Sequence, residues 1–335
     1  MLGDSRLTRD EALAVLHGNV GFEHPERWVE IAIRKNFVPV AARRVPVCPD
    51  CGGQRATRVG QFVYYCTSIR LRRCVQCRLV WADAHLPRTV TDAHFETAYK
   101  DRDYFAHRRR LIFEHLVDHV SRLVPVGGRV LDIGGAQGDL MHLLRAKRAD
   151  IHPVVQDISE SALRYAATTY GLDVIPGALE GLAAHTGQYD AVVLSDVLYY
   201  EPDLPRLWEL LRRLLADGGH VVIRVPNKLW LISMTARVQD LCMRRENREL
   251  QQDVPFFNPE HLYVFDRAYL RSRLVHMGFR NVRFRETPVL MGRPGAFSSA
   301  AVRGLRWFGA AAAKVTGGRM LLSPAMLVSA QRSRE

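Results

Sequence analysis

The chain has 335 residues, 47% of them hydrophobic, and a formal net charge of +12. That is enough length and apolar content for one large core or two smaller ones. No apolar run reaches the ~18 residues of a membrane span, and no basic-then-apolar leader opens the chain, so a cytoplasmic protein with no membrane contact is expected. The positive charge is nearly all arginine; the lysines are Lys35, Lys100, Lys147, Lys228 and Lys314. The arginines are scattered rather than gathered in a tract, which favours GC-rich codon usage placing arginine where lysine would serve over a nucleic-acid, phosphate or acidic partner.

Residues 1–44 read as mostly helical. Thr8 and Glu11 make a capping-box start for a short helix through His17, and Pro25 opens a second with Trp28, Ile31 and Ala32 apolar. These helices either pack on the core or carry a homodimer contact; the sequence leaves both open. Residues 45–85 change character, because "VCPDCGG" and "CVQCRLVWAD" are matching turns around the strand-like "QFVYYCTSIRLRRC". Cys48/Cys51 and Cys74/Cys77 are two C-x2-C pairs separated by 22 residues. Four thiolates on two turns suit tetrahedral zinc in a closed structural site, which has no open position for catalysis. Without a sign of secretion, metal ranks ahead of disulfide. Redox thiol pairs are the alternative, and the strand-rich surroundings oppose it. Cys66 and Cys242 stand apart as ordinary cysteines. Residues 86–125 form a connector with a basic helix around Arg108–Leu123, ending before Pro125.

From residue 126 strands and helices alternate. The predicted strands are Arg129–Ile133, Ile151–Gln156, Asp173–Ile175, Tyr189–Ser195 and His220–Val225. The predicted helices between them are Asp139–Lys147, Glu160–Tyr170 and Leu204–Leu215. The alternation and the continuous apolar runs "AVVL" and "HVVIRV" predict an α/β fold with a mostly parallel sheet covered on both faces. A helical insertion, Leu229–Leu250, then ends in the basic "RRENR". A helix at Asp266–Met277, a strand at Val282–Glu286, an amphipathic helix at Ala300–Val315 and a last strand at Met326–Ala330 complete the chain.

The turn "VLDIGGAQGDL", residues 130–140, carries the first functional signal. Gly134, Gly135 and Gly138 miss the register of the dinucleotide G-x-G-x-x-G, and the Gly-Lys-Ser/Thr ending of a phosphate loop is absent. Asp132 would also oppose a pyrophosphate, which wants helix-terminal amides without a nearby anion. A methyl-donor loop, D-x-G-x-G-x-G, fits better, because S-adenosylmethionine carries an ammonium and a sulfonium and no phosphate. Asp157 ends the second strand 19 residues after Gly138, where a carboxylate can accept both ribose hydroxyls. Capping of the next helix is its competing role.

From Cys48 to about Phe279 the chain resembles class I S-adenosylmethionine-dependent methyltransferases with an N-terminal zinc ribbon, a group that includes sugar C-methyltransferases. The resemblance rests on an ordered set: "CPDC", "CVQCRLVW", "DRDYF", "RVLDIGGAQGDL", "VVQDISESALRYA", "YDAVVLSDVL", "LLADGGHVVIRVPN", "PEHLYVFD" and "HMGF". It implies a doubly wound, mostly parallel seven-stranded Rossmann-like sheet. The implied divisions are a helical segment over 1–44, a zinc ribbon over 45–85, a connector over the donor site at 86–125, and a methyltransferase domain over 126–335 with a lid insertion at about 228–258.

It also implies roles. Asp132 orients the amino-acid end of the donor, with Gly134, Gly135, Gln137 and Gly138 forming the turn. Asp157 and Ile158 hold the nucleoside; Ala178, Leu179 and Glu180 reach adenine. Ser195 and Asp196 line the donor, and Tyr104 folds over it. Cys48, Cys51, Cys74 and Cys77 hold a structural zinc that helps to wall the acceptor site. Two departures stand out: Ala136 replaces the usual middle glycine, and Tyr199-Tyr200 replace a common Glu-His.

Methyl transfer is mainly a matter of alignment, and a base is needed only where the acceptor must lose a proton. His261, Tyr199 and Tyr200 are the candidate catalytic residues, with Glu201 and Tyr263 beside them; His261 has the ordinary pKa best suited to the task. Arg244, Arg245 and Arg248 suit a phosphate or carboxylate on the acceptor, or simply a solvated helix face. The expected reaction takes S-adenosylmethionine to S-adenosylhomocysteine with a small-molecule acceptor, a phosphate-bearing one included. An RNA methyltransferase, a non-catalytic donor-binding protein and an NAD oxidoreductase rank below it in that order.

Overall fold

The computed structural model describes residues 42–64, 67–85, 109–242, 261–288, 315 and 323–334. Several expectations lie outside those residues: the helices of residues 1–41, Tyr104, Cys66, the side chain of Cys242, Arg244, Arg245, Arg248, and the helix at Ala300–Val315 apart from Val315. The chain falls into two compact units, Met1–Thr91 with Lys228–Val264, and Asp92–Asn227 with Phe265–Glu335.

In the first unit β1 (Arg43–Arg44) pairs antiparallel with β5 (Ala84–His85). A hairpin of β2 (Ala56–Tyr64) and β3 (Thr67–Cys74) is extended by β4 (Val80–Ala82), all antiparallel. Strand alternation puts Ile69 and Leu71 on the buried face, in a core with Val80, Ala82 and Ala84. Arg70 and Arg72 alternate onto the opposite face. Arg43–Arg44, in the stretch expected to be helical, is drawn into a strand by this pairing.

The second unit opens with α1 (Arg110–Val120), followed by β6 (Arg129–Ile133), α2 (Asp139–Lys147), β7 (His152–Asp157), α3 (Glu160–Tyr170) and β8 (Asp173–Pro176). Next come β9 (Tyr189–Ser195), α4 (Leu204–Leu214) and β10 (Leu215–Pro226). Local chemistry sets the helix ends. Ser159 caps α3 by accepting from Ala162 N–H, and Gly171 ends it in the left-handed region. Asp203 caps α4 by accepting from Arg206 N–H, with a proline in the first turn.

The chain then returns to the first unit as α5 (Leu229–Cys242) and β11 (Tyr263–Val264). Leu229, Ile232 and Val264 complete the core of the first unit, and β11 pairs with β4. The segment expected as an insertion of the second domain therefore packs with the cysteine-bearing unit, since its apolar side chains fill that core. The second unit closes with α6 (Arg267–His276), β12 (Phe279–Glu286) and β13 (Ala325–Arg332).

Its sheet has seven strands in the order β12-β13-β10-β9-β6-β7-β8, with β13 antiparallel to both neighbours and the other neighbouring pairs parallel. This is the expected doubly wound, mostly parallel Rossmann-like arrangement. Val130, Ala191, Val193 and Val222 face a core built with α1, α2 and α3, while the alternate residues Leu131, Val192, Leu194 and Ile223 are also fully buried. Two strands begin earlier than expected. β10 starts at Leu215 because an irregularity lets it pair with Tyr189 before the register shifts to His220, and Gly218 in the left-handed region makes "DGG" look like a plain turn. β12 starts at Phe279 with a similar shift near Asn281, which also has positive φ.

Candidate functional site

The chain leaves β6 toward β7 and β8 on one side and returns through β9 and β10 on the other, so the carboxyl ends of β6 and β9 flank the point where strand order reverses. Open α/β sheets bind ligands there. The turn after β6 is held by its neighbour strand. Gly134 and Gly135 N–H groups donate to Gln156 O at 2.8 and 3.0 Å, Ala136 N–H donates to Asp157 Oδ2 at 2.8 Å, and Gly138 N–H donates to Gly135 O at 2.9 Å. A side chain at Gly135 would meet Asp132 Oδ2 and Val155 Cγ1 at 2.8 Å, so the Asp beneath it requires the glycine. Ala136 has φ of 50°, which is why glycine is the easier residue there; its methyl is buried in the core with Leu140 and Met141.

Asp132 shares a sheet face with Val130 and is only 2% exposed. Its Oδ1 is buried with no hydrogen-bond partner among the described residues. Burial pushes its pKa up to about 8, the nearby Asp157 adds to the rise, and Arg109 opposes it. Asp157 is equally buried, and its two oxygens accept from Ser159 N–H and Ala136 N–H, both at 2.8 Å. It therefore braces the glycine turn against β7 and holds the backbone of Ser159, while the capping role the sequence offered to Asp157 falls to Ser159 itself. Beside it Ile158 is 53% exposed, an apolar side chain open to solvent at the strand end. Gly177 N–H donates to Asp157 O, and the Gln156 amide holds Gly177 O; this anchors Ala178 and a short 3-10 helix, Leu179–His185. Glu180 pairs with Arg206 at the surface. Gln137 is half-buried in the turn.

Ser195 and Asp196 end β9, Asp196 with φ of 63°, a strained conformation of the kind that clusters at functional sites. Two buried arginines hold this end. Arg109 donates to Ser195 Oγ at 3.1 Å and Asp196 Oδ2 at 2.7 Å; Arg224 of β10 pairs with the same Asp196 oxygen and donates to Pro288 O at 2.7 Å. Sequence reasoning missed both. Arg224 had a visible signal, a charge inside the apolar run "HVVIRVP"; Arg109 had none, since its partners are more than 80 residues away.

Tyr199 and Tyr200 follow in a 3-10 turn, their ring centroids 4.6 Å apart. Tyr199 is buried, and burial, with Asp196 next in importance, holds its phenol well above the ordinary value. His261 belongs to the first unit, half-buried just before β11, where Glu201 and Tyr263 likewise divide between the second unit and the first.

The first unit brings its four cysteines together. Cys48, Cys51, Cys74 and Cys77 Sγ atoms all lie within 4.8 Å of one another, with 3.5 Å for Cys48–Cys77 and 3.6 Å for Cys51–Cys74. A tetrahedral ion with bonds of ~2.3 Å needs sulfurs about 3.8 Å apart, close to this spacing, whereas a disulfide needs ~2.05 Å. The Cys77 thiol pulls Cys48 down to about 6, and Cys48 in turn pushes Cys77 up; burial pushes Cys51 up to about 11. One thiolate forms readily here, and a divalent cation would relieve the cost of the others.

No curated protein matches the chain at a significant level. Among solved structures it is similar to an S-adenosylmethionine-dependent methyltransferase from Archaeoglobus fulgidus, at 18% identity over 70% of this chain and 99% of that one, with a TM-score of 0.45. It is similar to the complex between the Haloferax volcanii Trm112 methyltransferase activator and a putative methyltransferase, at 17% identity over 72% and 98%, with a TM-score of 0.48. A Thermotoga maritima S-adenosylmethionine-dependent methyltransferase, described as a possible histamine N-methyltransferase, matches at 16% identity over 73% and 97%, with a TM-score of 0.42. The assignment rests instead on a family model, described as a methyltransferase domain, which matches residues 104–283. That match covers more than half of the chain and spans β6 to β10 with the whole glycine turn, and the chain belongs to this methyltransferase-domain family.

Proposed function

We propose that the protein transfers a methyl group from S-adenosylmethionine to a small-molecule acceptor, and that its first unit is a zinc ribbon. The observation that carries the donor reading is Asp132, a buried carboxyl with an unpartnered oxygen under the glycine turn. A cationic ligand would give that oxygen a donor and favour its ionised form. The turn's amides at Gly134, Gly135, Ala136 and Gly138 are spent on protein acceptors, which disfavours a pyrophosphate.

When bound, S-adenosylmethionine supplies an electrophilic methyl on a sulfonium. Asp132 accepts from the ammonium of its amino-acid end. Asp157 is the carboxylate placed to accept from the ribose hydroxyls, and Ile158 offers an apolar surface to adenine, with Ala178 and Leu179 at its edge. Ser195 and Asp196 are fixed by Arg109 and Arg224, and Tyr104 is assigned to cover the donor. Tyr199, with its proton held tightly, walls the pocket. Tyr200 is the group of the second unit left to take a proton where the acceptor must lose one. A sugar or specialised-metabolite intermediate is the acceptor class that the ribbon and the ordered motifs support.

An acceptor screen with a labelled methyl donor, offering nucleotide-linked sugars, small metabolites and RNA, tests this. Label in a small molecule is the expected result. Label in RNA alone would overturn the acceptor class.

A further inference from the structure

The first unit contains a cavity of about 280 Å³ lined by Arg44, Pro46, Arg70, Arg72 and Asp83. Its walls are fixed by the backbone. Arg70 and Arg72 lie on the same face of β3, and Arg44 ends β1. Asp83 links them where the ladder between β3 and β4 stops: its N–H donates to Arg70 O, its carbonyl accepts from Val45 N–H, and its Oδ1 accepts from Arg70 N–H at 2.8 Å. The buried Asp83 carboxylate also pairs with Arg72 Nε at 3.3 Å and Arg44 at 3.7 Å, and Arg72 reaches Pro46 O at 3.5 Å. Among the described residues the Arg70 guanidinium has no ion pair or hydrogen bond.

Three arginines and one carboxylate line the pocket, and two of the guanidinium groups share that carboxylate. The like charges continue across the hairpin, because Arg58 of β2 sits directly opposite Arg72. Like-charged cross-strand pairs destabilise a sheet, so folding alone does not account for the arrangement. Guanidinium forks match phosphate oxygens, and a phosphate monoester or diphosphate carries the complementary charge. A volume of about 280 Å³ is of a size that suits one phosphate or diphosphate group.

The geometry points to this pocket as a binding site for the phosphate or diphosphate group of a small molecule. The inference rests on the transferase reading only for the ligand's purpose; binding itself does not depend on it. The shared chemistry admits two sources, a nucleotide-linked small molecule or an RNA backbone, and the small volume and short lining favour the first.

Calorimetric titration of the full-length, metal-loaded chain with inorganic pyrophosphate, with uridine diphosphate and with a single-stranded RNA oligonucleotide tests it at physiological ionic strength. Pyrophosphate and uridine diphosphate should bind, and Arg70→Gln should weaken both by about tenfold. Arg283→Gln, an equal charge loss at an exposed position on β12, should leave both unchanged. Arg70 is exposed, so its variant should keep the wild-type melting temperature; Arg44→Gln provides a second exposed substitution. No binding of either probe, or equal weakening by Arg283→Gln, would overturn the site. RNA binding that is lost in Arg70→Gln while uridine diphosphate fails to bind would overturn the small-molecule source. S-adenosylhomocysteine titrated into the same samples separates the readings: its binding without pyrophosphate binding sinks only this site, and the reverse sinks only the donor site.

Discussion

At the scale of single residues, Asp132 sets stability against binding. An ordinary carboxyl titrates near pH 4, while burial raises Asp132 to about 8. The folded chain therefore holds a proton that the unfolded chain releases between those values. The stabilising contribution is complete below about pH 4 and is lost as pH rises through about 8. Asp132→Asn should flatten that decline in thermal melts of the ligand-free protein over this pH range; an unchanged pH slope would refute the assignment. The same substitution should weaken donor binding by about tenfold or more, since it removes the charge that meets the ammonium. The glycine turn gives a second check. A methyl at Gly138, whose φ is 80°, would meet Leu172 Cδ1 at 2.8 Å and Ala166 Cβ at 3.1 Å. Gly138→Ala should cost about 1–3 kcal/mol in chemical denaturation. A midpoint equal to wild type would mean that the turn is looser than described.

At the scale of elements, the β/α alternation was legible because burial and periodicity are local. Arg129–Ile133, Asp139–Lys147, Glu160–Tyr170 and Tyr189–Ser195 are strands and helices with the same bounds that apolar spacing and caps suggested. The first part of β10 and of β12 was not legible, because irregular pairing around Gly218 and Asn281 is decided by the neighbouring strand. The ion cluster of Arg109, Asp196 and Arg224 was hidden for a related reason: three residues from three places in the chain meet only after the sheet forms. Breaking such a buried group is costly, so Arg224→Ala should lower stability by about 3 kcal/mol in denaturant unfolding. A loss within the range of a surface substitution would show that Asp196 does not depend on it.

At the scale of the whole molecule, two units carry different chemistry. The four cysteines were legible from spacing, and the structure sets their sulfurs at distances suited to one ion. Their partner segment, Lys228–Val264, was not, because membership in a core depends on which apolar face it fills. Elemental analysis should find one zinc per chain, and a chelator should speed amide exchange in residues 42–85 while leaving β6 to β9 protected. Chelation without any change in exchange would remove the structural role of the metal. The most direct test of the second unit is calorimetric titration of S-adenosylmethionine and S-adenosylhomocysteine into the purified chain and into Asp132→Asn. One site per chain, with affinity for S-adenosylmethionine that tightens as pH rises toward 8 and falls in the variant, is the predicted result. Failure of the wild-type chain to bind either molecule would contradict the donor site at its root.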